Sequence, residues 1–399
     1  MRRDRGLRLA ALAAAALLTA GCTAATSEDP PAAPTPTASA PADPASEPWP
    51  STTPAKAGFA PQRLAALARQ ARQQASTCFA VVRDGRLVRD WNWRDSEPDD
   101  PREVFSVTKS VASALVGIVV KDGVLALDDP ASRWITEWRG TGSEAVTVRD
   151  LLTNTSGRFW SAESDYQNLI GNENRTRYAV GLSQLHDPGT SWAYNNAAIQ
   201  TLDRVISEAT GMSTADFAEA RLFGPLGMAD SRLTLDTSGR STNVFFGMQT
   251  TCLDLARFGR LYLDGGTVDG EQILPRSYVE ASVGRSGSDL NAAYGFLWWL
   301  NRPGSLRGAA DQVDEAGQPL STRTGQLAPG APDDLFSAQG LFGQTLLVDP
   351  GSRTVVVRLG LMTGGPDEGY STADAARVVT EAVTNPARRA DGAQAAPRR

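Results

Sequence analysis

Apolar positions along this chain change their spacing several times, and each change marks an element. From Pro61 through Ala75 they recur at helical intervals. The run Phe79-Ala-Val-Val-Arg-Asp-Gly-Arg-Leu-Val then places two apolar stretches around Asp84-Gly85, the pattern of a tight β-hairpin. Val111 to Val120, VASALVGIVV, reads as a core helix that Asp122-Gly123 ends. Leu127-Asp128-Asp129-Pro130 opens a stretch of short helices and loops running to about Ser241, with helical spacing over Thr201 to Ala209 and Thr214 to Leu222. Thr251 to Tyr262 is amphipathic. Phe336 to Leu347 and Thr354 to Leu361 predict two strands around Asp349-Pro350-Gly351, and Asp374 to Val383 a closing helix. Residues 301–334 are polar and punctuated by Gly and Pro, which predicts a rim loop over a site or a disordered segment. There is no internal repeat.

The ends of the chain follow different rules. Arg2, Arg3, Arg5 and Arg8 precede an apolar stretch from Leu9 to Leu18 and then Thr19-Ala20-Gly21-Cys22, so residues 1–22 read as a signal peptide and not a membrane span. The small residues before Cys22 resemble a bacterial lipobox, which would make Cys22 the lipidated first residue of the mature chain; a plain secretory signal cleaved nearby is the alternative. Residues 23–55 are rich in Pro, Ala, Ser and Thr and read as a disordered tether. Residues 56–385 are long enough for one large α/β domain with an inserted, mostly helical subdomain at about 126–245. The tail 386–399 reads as disordered. The expected location is therefore outside the cytoplasm, with membrane attachment only through the lipid.

The formal net charge of the 399 residues is −6, and the arginines are interspersed with acids, so nothing points to nucleic acid. Cys78 and Cys252 remain after Cys22, an even pair in an exported chain; a disulfide between them is the expectation and two buried free thiols the alternative. No CxxC, HExxH or His/Cys cluster is present to hold a metal, and no cofactor is expected.

The candidate chemistry lies in Ser106-Val-Thr-Lys109, in a chain with three lysines and one histidine. On a helix, residues three apart share a face, so the Lys109 amine would sit beside the Ser106 hydroxyl. Neutral lysine near pH 7 requires burial, a neighbouring cation or a helix N-terminus, and the apolar run after Lys109 supplies burial. Further along, Asp187-Pro-Gly-Thr-Ser-Trp-Ala-Tyr leads through a rigid Pro-Gly turn to Tyr194-Asn195-Asn196. His186 invites a Ser-His-Asp reading, but no Gly-x-Ser-x-Gly elbow accompanies it, and a solvated loop histidine is the simpler account.

SVTKS, LLTNTSG at Leu151 to Gly157, DPGTSWAYNN at Asp187 to Asn196 and LFGPLGM at Leu222 to Met228 follow the order and spacing of the class C β-lactamase-like serine hydrolases. That family is related to penicillin-binding proteins and includes esterases, D-amino-acid amidases and 6-aminohexanoate-oligomer hydrolases. The resemblance implies an α+β sandwich, an antiparallel sheet flanked by helices. It implies Ser106 as acylated nucleophile, Lys109 as its proton partner, Tyr194 as the group that shares protons with the lysine, and Asn196 as a holder of lysine and substrate. Asp150 and Asn154 would serve caps and turns, with Asn154 at most a support.

The chain departs from the family at the third motif. Where β-lactamases and penicillin-binding proteins carry Lys-Thr-Gly, the counterpart here is Ala338-Gln339-Gly340, which lacks the cation that helps receive a β-lactam or stem-peptide carboxylate. Gly340 still lets the backbone approach, and the N–H groups of Ser106 and Leu341 would form the oxyanion hole. AQGLFGQTLLVDP and YGFLWWL look most like the esterase and 6-aminohexanoate-hydrolase branch. Of Trp298 and Trp299, at most one can line a pocket, because neighbouring strand residues face opposite ways, and core packing is the expectation for each. The expectation is an exported hydrolase of small carboxylic esters or amides that works through an acyl-enzyme. A penicillin-binding protein or β-lactamase, and a catalytically idle envelope-binding protein, are the competing readings.

Overall fold

The computed structural model describes residues 48–311, 313–314, 317–321, 323–361 and 369–385. The expected signal peptide with Cys22, the tether up to residue 47 and the 386–399 tail lie outside the described residues.

A six-stranded antiparallel sheet forms the centre, in the order β2-β1-β6-β5-β4-β3. Its strands are β1 (Ser76–Arg83), β2 (Arg86–Asn92), β3 (Trp299–Leu300), β4 (Phe336–Gly340), β5 (Gln344–Asp349) and β6 (Thr354–Gly360). The Asp84-Gly85 turn joins β1 to β2 with both residues at positive φ, 50° and 69°, the conformation a two-residue hairpin favours. Every residue of β1 is buried because both faces of the sheet are covered. Ala80, Val82, Leu346, Val348, Val355 and Val357 face one core, shared with α2 (Thr108–Lys121), α4 (Asn196–Thr210) and α5 (Cys252–Leu263). Phe79, Val81, Leu347 and Val356 alternate to the other face, under α1 (Pro61–Gln73) and the C-terminal α6 (Thr372–Arg377). Helix α5 lies so close to the sheet that a Cβ at Gly259 would come within 2.7 Å of Leu346 and Val355.

Several expectations need correction. The strand expected over Phe336 to Leu347 is two strands. Phe342 and Gly343 adopt positive φ, 63° and 76°, and the Leu341–Gly343 turn reverses the chain so that Gln339 pairs with Thr345. Helix α4 begins at Asn196, earlier than the apolar spacing indicated, because the Asn195 side chain caps it by accepting the Ala198 N–H at 2.8 Å. The closing helix is a short α6 started by a Ser371–Asp374 capping box, followed by a wider π-turn over Val378–Ala382. Ordered structure starts before Lys56. Trp49 lies 5.1 Å under the Arg257 guanidinium and Ser51 bridges Leu87, so one aromatic side chain in the Pro-rich tether gives it something to bury. Within residues 301–334 a two-stranded ribbon, Gly304–Leu306 with Arg323–Gly325, replaces the structureless loop, and the Asn301 amide ties carbonyls of Ala328, Ala331 and Pro332.

The inserted region carries α3 (Val148–Thr153), α4 and short helices at Arg175–Gly181 and Thr214–Ala218. It meets the segment before α2 through a small sheet in which Met248–Thr250 pairs with both Arg102–Glu103 and Arg232–Leu233. Cys78 on β1 and Cys252, the first residue of α5, are disulfide-bonded across 174 residues. A cross-link closing so long a loop restricts the unfolded chain strongly. Cys252→Ala is therefore expected to lower stability by about 2–5 kcal/mol, and calorimetric melting of the variant, or of the reduced protein, checks it; an unchanged midpoint would contradict the assignment.

Candidate active site

The segment before α2 is bent and held on several sides. Phe105 has a positive φ of 49°, an uncommon conformation for an aromatic residue, and Ser106 follows in a 3-10 turn that runs directly into α2. Glu103 fixes this bend by accepting the Phe105 N–H at 3.1 Å and the Gly247 N–H at 2.8 Å. Thr108 donates to the Phe105 carbonyl at 2.6 Å and accepts the Met248 N–H at 3.1 Å. Ser106 and Lys109 thus share one face, as a single helix would place them, although only Lys109 is α-helical.

Lys109 is buried, 1 % exposed, with Nζ donating to Ser106 Oγ at 2.8 Å and to the Phe245 carbonyl at 2.7 Å. Burial pulls its ammonium down to about 7, opposed by the negative charge of Asp165. Tyr194 is buried beside it, its ring centroid 4.7 Å from Nζ. Burial raises the phenol above its ordinary range, so it stays protonated. Trp299 stacks on the Tyr194 ring at 5.6 Å, whereas Trp298 turns away to pack on Phe258 and Phe336. The two tryptophans face opposite ways, as the strand alternation required.

Tyr194, Asn195 and Asn196 form the corner leading into α4. The Asn195 amide donates to the carbonyls of Arg158 and Phe159, each at 3.1 Å. Among the described residues, Asn196 Oδ1 is buried without a protein partner. Asn154 ends α3 in a left-handed conformation and accepts the Asn195 N–H at 3.3 Å, a supporting place. Asp150 belongs to the capping box that starts α3.

On the opposite wall, Gly340 brings β4 against the nucleophile turn. A Cβ there would lie 2.1 Å from the Val104 carbonyl oxygen, so only glycine fits. Phe342 packs edge-on against Phe105 at 5.4 Å, and the Arg358 guanidinium holds the Phe342 carbonyl at 2.7 Å. Gln339 is half-buried and donates to Ser337 Oγ at 3.0 Å. Leu341, 44 % exposed, follows at the rim. His186 lies elsewhere, lining a small cavity with Arg158, Trp160 and Ser191 that does not include Ser106. Among the described residues no group of three or more His, Cys, Asp or Glu side chains is placed to hold a metal.

Three participants escaped the sequence. Phe245 contributes a backbone carbonyl, which no residue type announces. Trp160 and Asp165 lie within the stretch of short helices and loops, where no motif marks them. The Trp160 indole donates to the Tyr194 carbonyl and to Asp165 Oδ2, both at 3.1 Å. The signal available was the proximity of an aromatic and an acid in a segment otherwise rich in Ser and Asn.

Known proteins share this architecture. The family model described as Beta-lactamase matches residues 62–381. The 6-aminohexanoate-dimer hydrolase of Paenarthrobacter ureafaciens is 22 % identical over 324 residues, 74 % of this chain and 75 % of that protein. Esterase EstB of Burkholderia gladioli is 34 % identical over 156 residues, 34 % of this chain and 39 % of its own. The structure of a putative 6-aminohexanoate-dimer hydrolase from Bacillus anthracis superposes with a TM-score of 0.62 at 21 % identity, covering 80 % of this chain and 83 % of that one. Because the match encloses the whole sheet and every residue gathered around Ser106, the chain belongs to the Beta-lactamase family, the β-lactamase-fold serine hydrolases.

Proposed function

We propose that this protein is an exported hydrolase of small carboxylic esters or amides that acts through an acyl-enzyme on Ser106. The observation that carries the reading is the buried Lys109 amine 2.8 Å from Ser106 Oγ. Neutral Lys109 takes the Ser106 proton while Oγ attacks the carbonyl carbon, and the backbone N–H groups of Ser106 and Leu341 receive the resulting oxyanion. Tyr194, beside the Lys109 amine and held protonated by burial, relays the proton to the departing alkoxide or amine. Water then attacks the acyl carbonyl as the same pair removes its proton, and the returning proton restores the Ser106 hydroxyl as the carboxylic acid leaves. Asn196, with a free buried oxygen, would hold substrate or the lysine.

Gln339 directs the choice of substrate. A fixed cation at this wall would favour a carboxylate-bearing substrate, and a neutral amide gives no such preference. The names of the esterase and the dimer hydrolase among the relatives support esters and small amides. The arginine-rich leader and Cys22 support export with a lipid anchor, which mass spectrometry of the membrane fraction would detect as an acylated N-terminal cysteine.

Two outcomes test this reading. Treated with a fluorophosphonate probe, the wild type should gain one adduct, and Ser106→Ala should gain none while melting like the wild type. Lys109→Arg keeps the charge but cannot become neutral, so hydrolysis of a p-nitrophenyl ester should fall by about 10²–10⁴-fold. Absence of an adduct on the wild type would sink the proposal, and avid labelling by a fluorescent penicillin would shift it toward the penicillin-binding proteins. The pH dependence has a defined sign. The active form carries neutral Lys109, so kcat/KM should rise with pH through a midpoint of about 7 and fall about tenfold per unit below it. A profile flat across neutrality would show that Lys109 is not the base.

A further inference from the structure

Asp165 is fully buried, and both of its carboxylate oxygens are committed to the corner that carries Tyr194. Oδ2 accepts the Asn196 N–H at 2.7 Å and the Trp160 indole at 3.1 Å, and Oδ1 accepts the Ala197 N–H at 3.0 Å. Helix α4 already has its cap in the Asn195 side chain. A neutral oxygen would serve the two remaining N–H groups, and burying a carboxylate without a tightly paired cation costs several kcal/mol. Capping alone therefore does not account for an ionisable group here. The charged and titratable groups in electrostatic contact with it are Lys109, Tyr166 and Tyr194, and of these only Lys109 can be a cation. Lys109 in turn meets the Ser106 hydroxyl, the Phe245 carbonyl and the Tyr194 ring, and Asp165 is the carboxylate that acts on it.

Resting on the reading of Lys109 as the base, we propose that Asp165 is a positioning residue for the reaction. Its carboxylate clamps the Tyr194–Asn196 corner to the Trp160 segment and places a negative charge on the corner whose tyrosine ring lies 4.7 Å from the Lys109 amine. Burial by itself would leave a weak base, since desolvation disfavours the ammonium that must form during attack. A buried anion within electrostatic reach restores part of that proton affinity without the hydrogen bond that would tie up Nζ. Burial pushes the same carboxylate up to about 6.

The test follows the rate of fluorophosphonate labelling against pH for wild type, Asp165→Asn and Asp165→Glu. Removing a negative neighbour disfavours the ammonium, so in Asp165→Asn the acid limb should move to lower pH by about one unit while the plateau rate falls about tenfold or more. Asp165→Glu keeps the charge and strains the clamp, so it should restore the wild-type midpoint with a slower plateau. An Asp165→Asn protein that labels with the wild-type midpoint overturns the proposal and leaves Asp165 a structural cap, because a cap alone does not move a titration. Should circular dichroism show Asp165→Asn unfolded, Asp165→Glu decides: a wild-type plateau rate overturns the clamp, and a midpoint displaced downward overturns the electrostatic role. Wild-type protein that takes no adduct would instead overturn the hydrolase reading, and this proposal with it.

Discussion

Everything around the site serves the burial of one amine. A lysine side chain enclosed by Tyr194, Phe245 and the core end of α2 loses most of its hydration, which is why its proton affinity falls to the range where it can act as a base. That placement is stable only if Nζ still has hydrogen-bond acceptors, and two are provided, the Ser106 hydroxyl and the Phe245 carbonyl. The carbonyl fixes the start of the 245–250 segment, which pairs through its own backbone with the strand that delivers Phe105 and Ser106. The lysine is therefore a tie between the two walls that hold it.

The backbone on either side of the cleft is conformationally unusual for the same reason. Phe105 and Phe342 both have positive φ, and their rings meet edge-on at 5.4 Å. Such conformations are costly for bulky residues and persist where surrounding contacts over-determine them. Glu103 and Thr108 hold the first bend, and Arg358 holds the second. Gly340 admits the close approach of β4 to the turn that carries Phe105 and Ser106. A side chain at position 340 would separate the turns, so the glycine and the two strained phenylalanines form one device.

Most of the fold was legible because its pattern is local. The Asp84-Gly85 hairpin, the apolar run of α2 and the amphipathic α5 all follow from spacing within a dozen or so residues. The limits of elements were less legible where a side chain outside the periodic run decides them, as Asn195 does for α4 and the Gly340 to Gly343 turn does for β4 and β5. At the site, Ser106, Lys109 and Tyr194 come together as their motifs implied. The groups that tune them, Phe245, Trp160 and Asp165, act across the fold, and neither a carbonyl nor a lone buried acid leaves a periodic trace.

Asp165 also bears on why the site has so few cations of its own. In a cleft whose reactive amine is buried and only marginally protonated near neutral pH, a second fixed cation beside Ser106 would lower the proton affinity of Lys109 further. Where a family member carries a lysine on the strand facing the nucleophile, that repulsion must be balanced elsewhere. Here the strand offers Gln339, which donates to Ser337 Oγ, and the negative charge of Asp165 opposes the effect of burial on Lys109. Neutrality at position 339 and negative charge at position 165 are then two parts of one electrostatic arrangement.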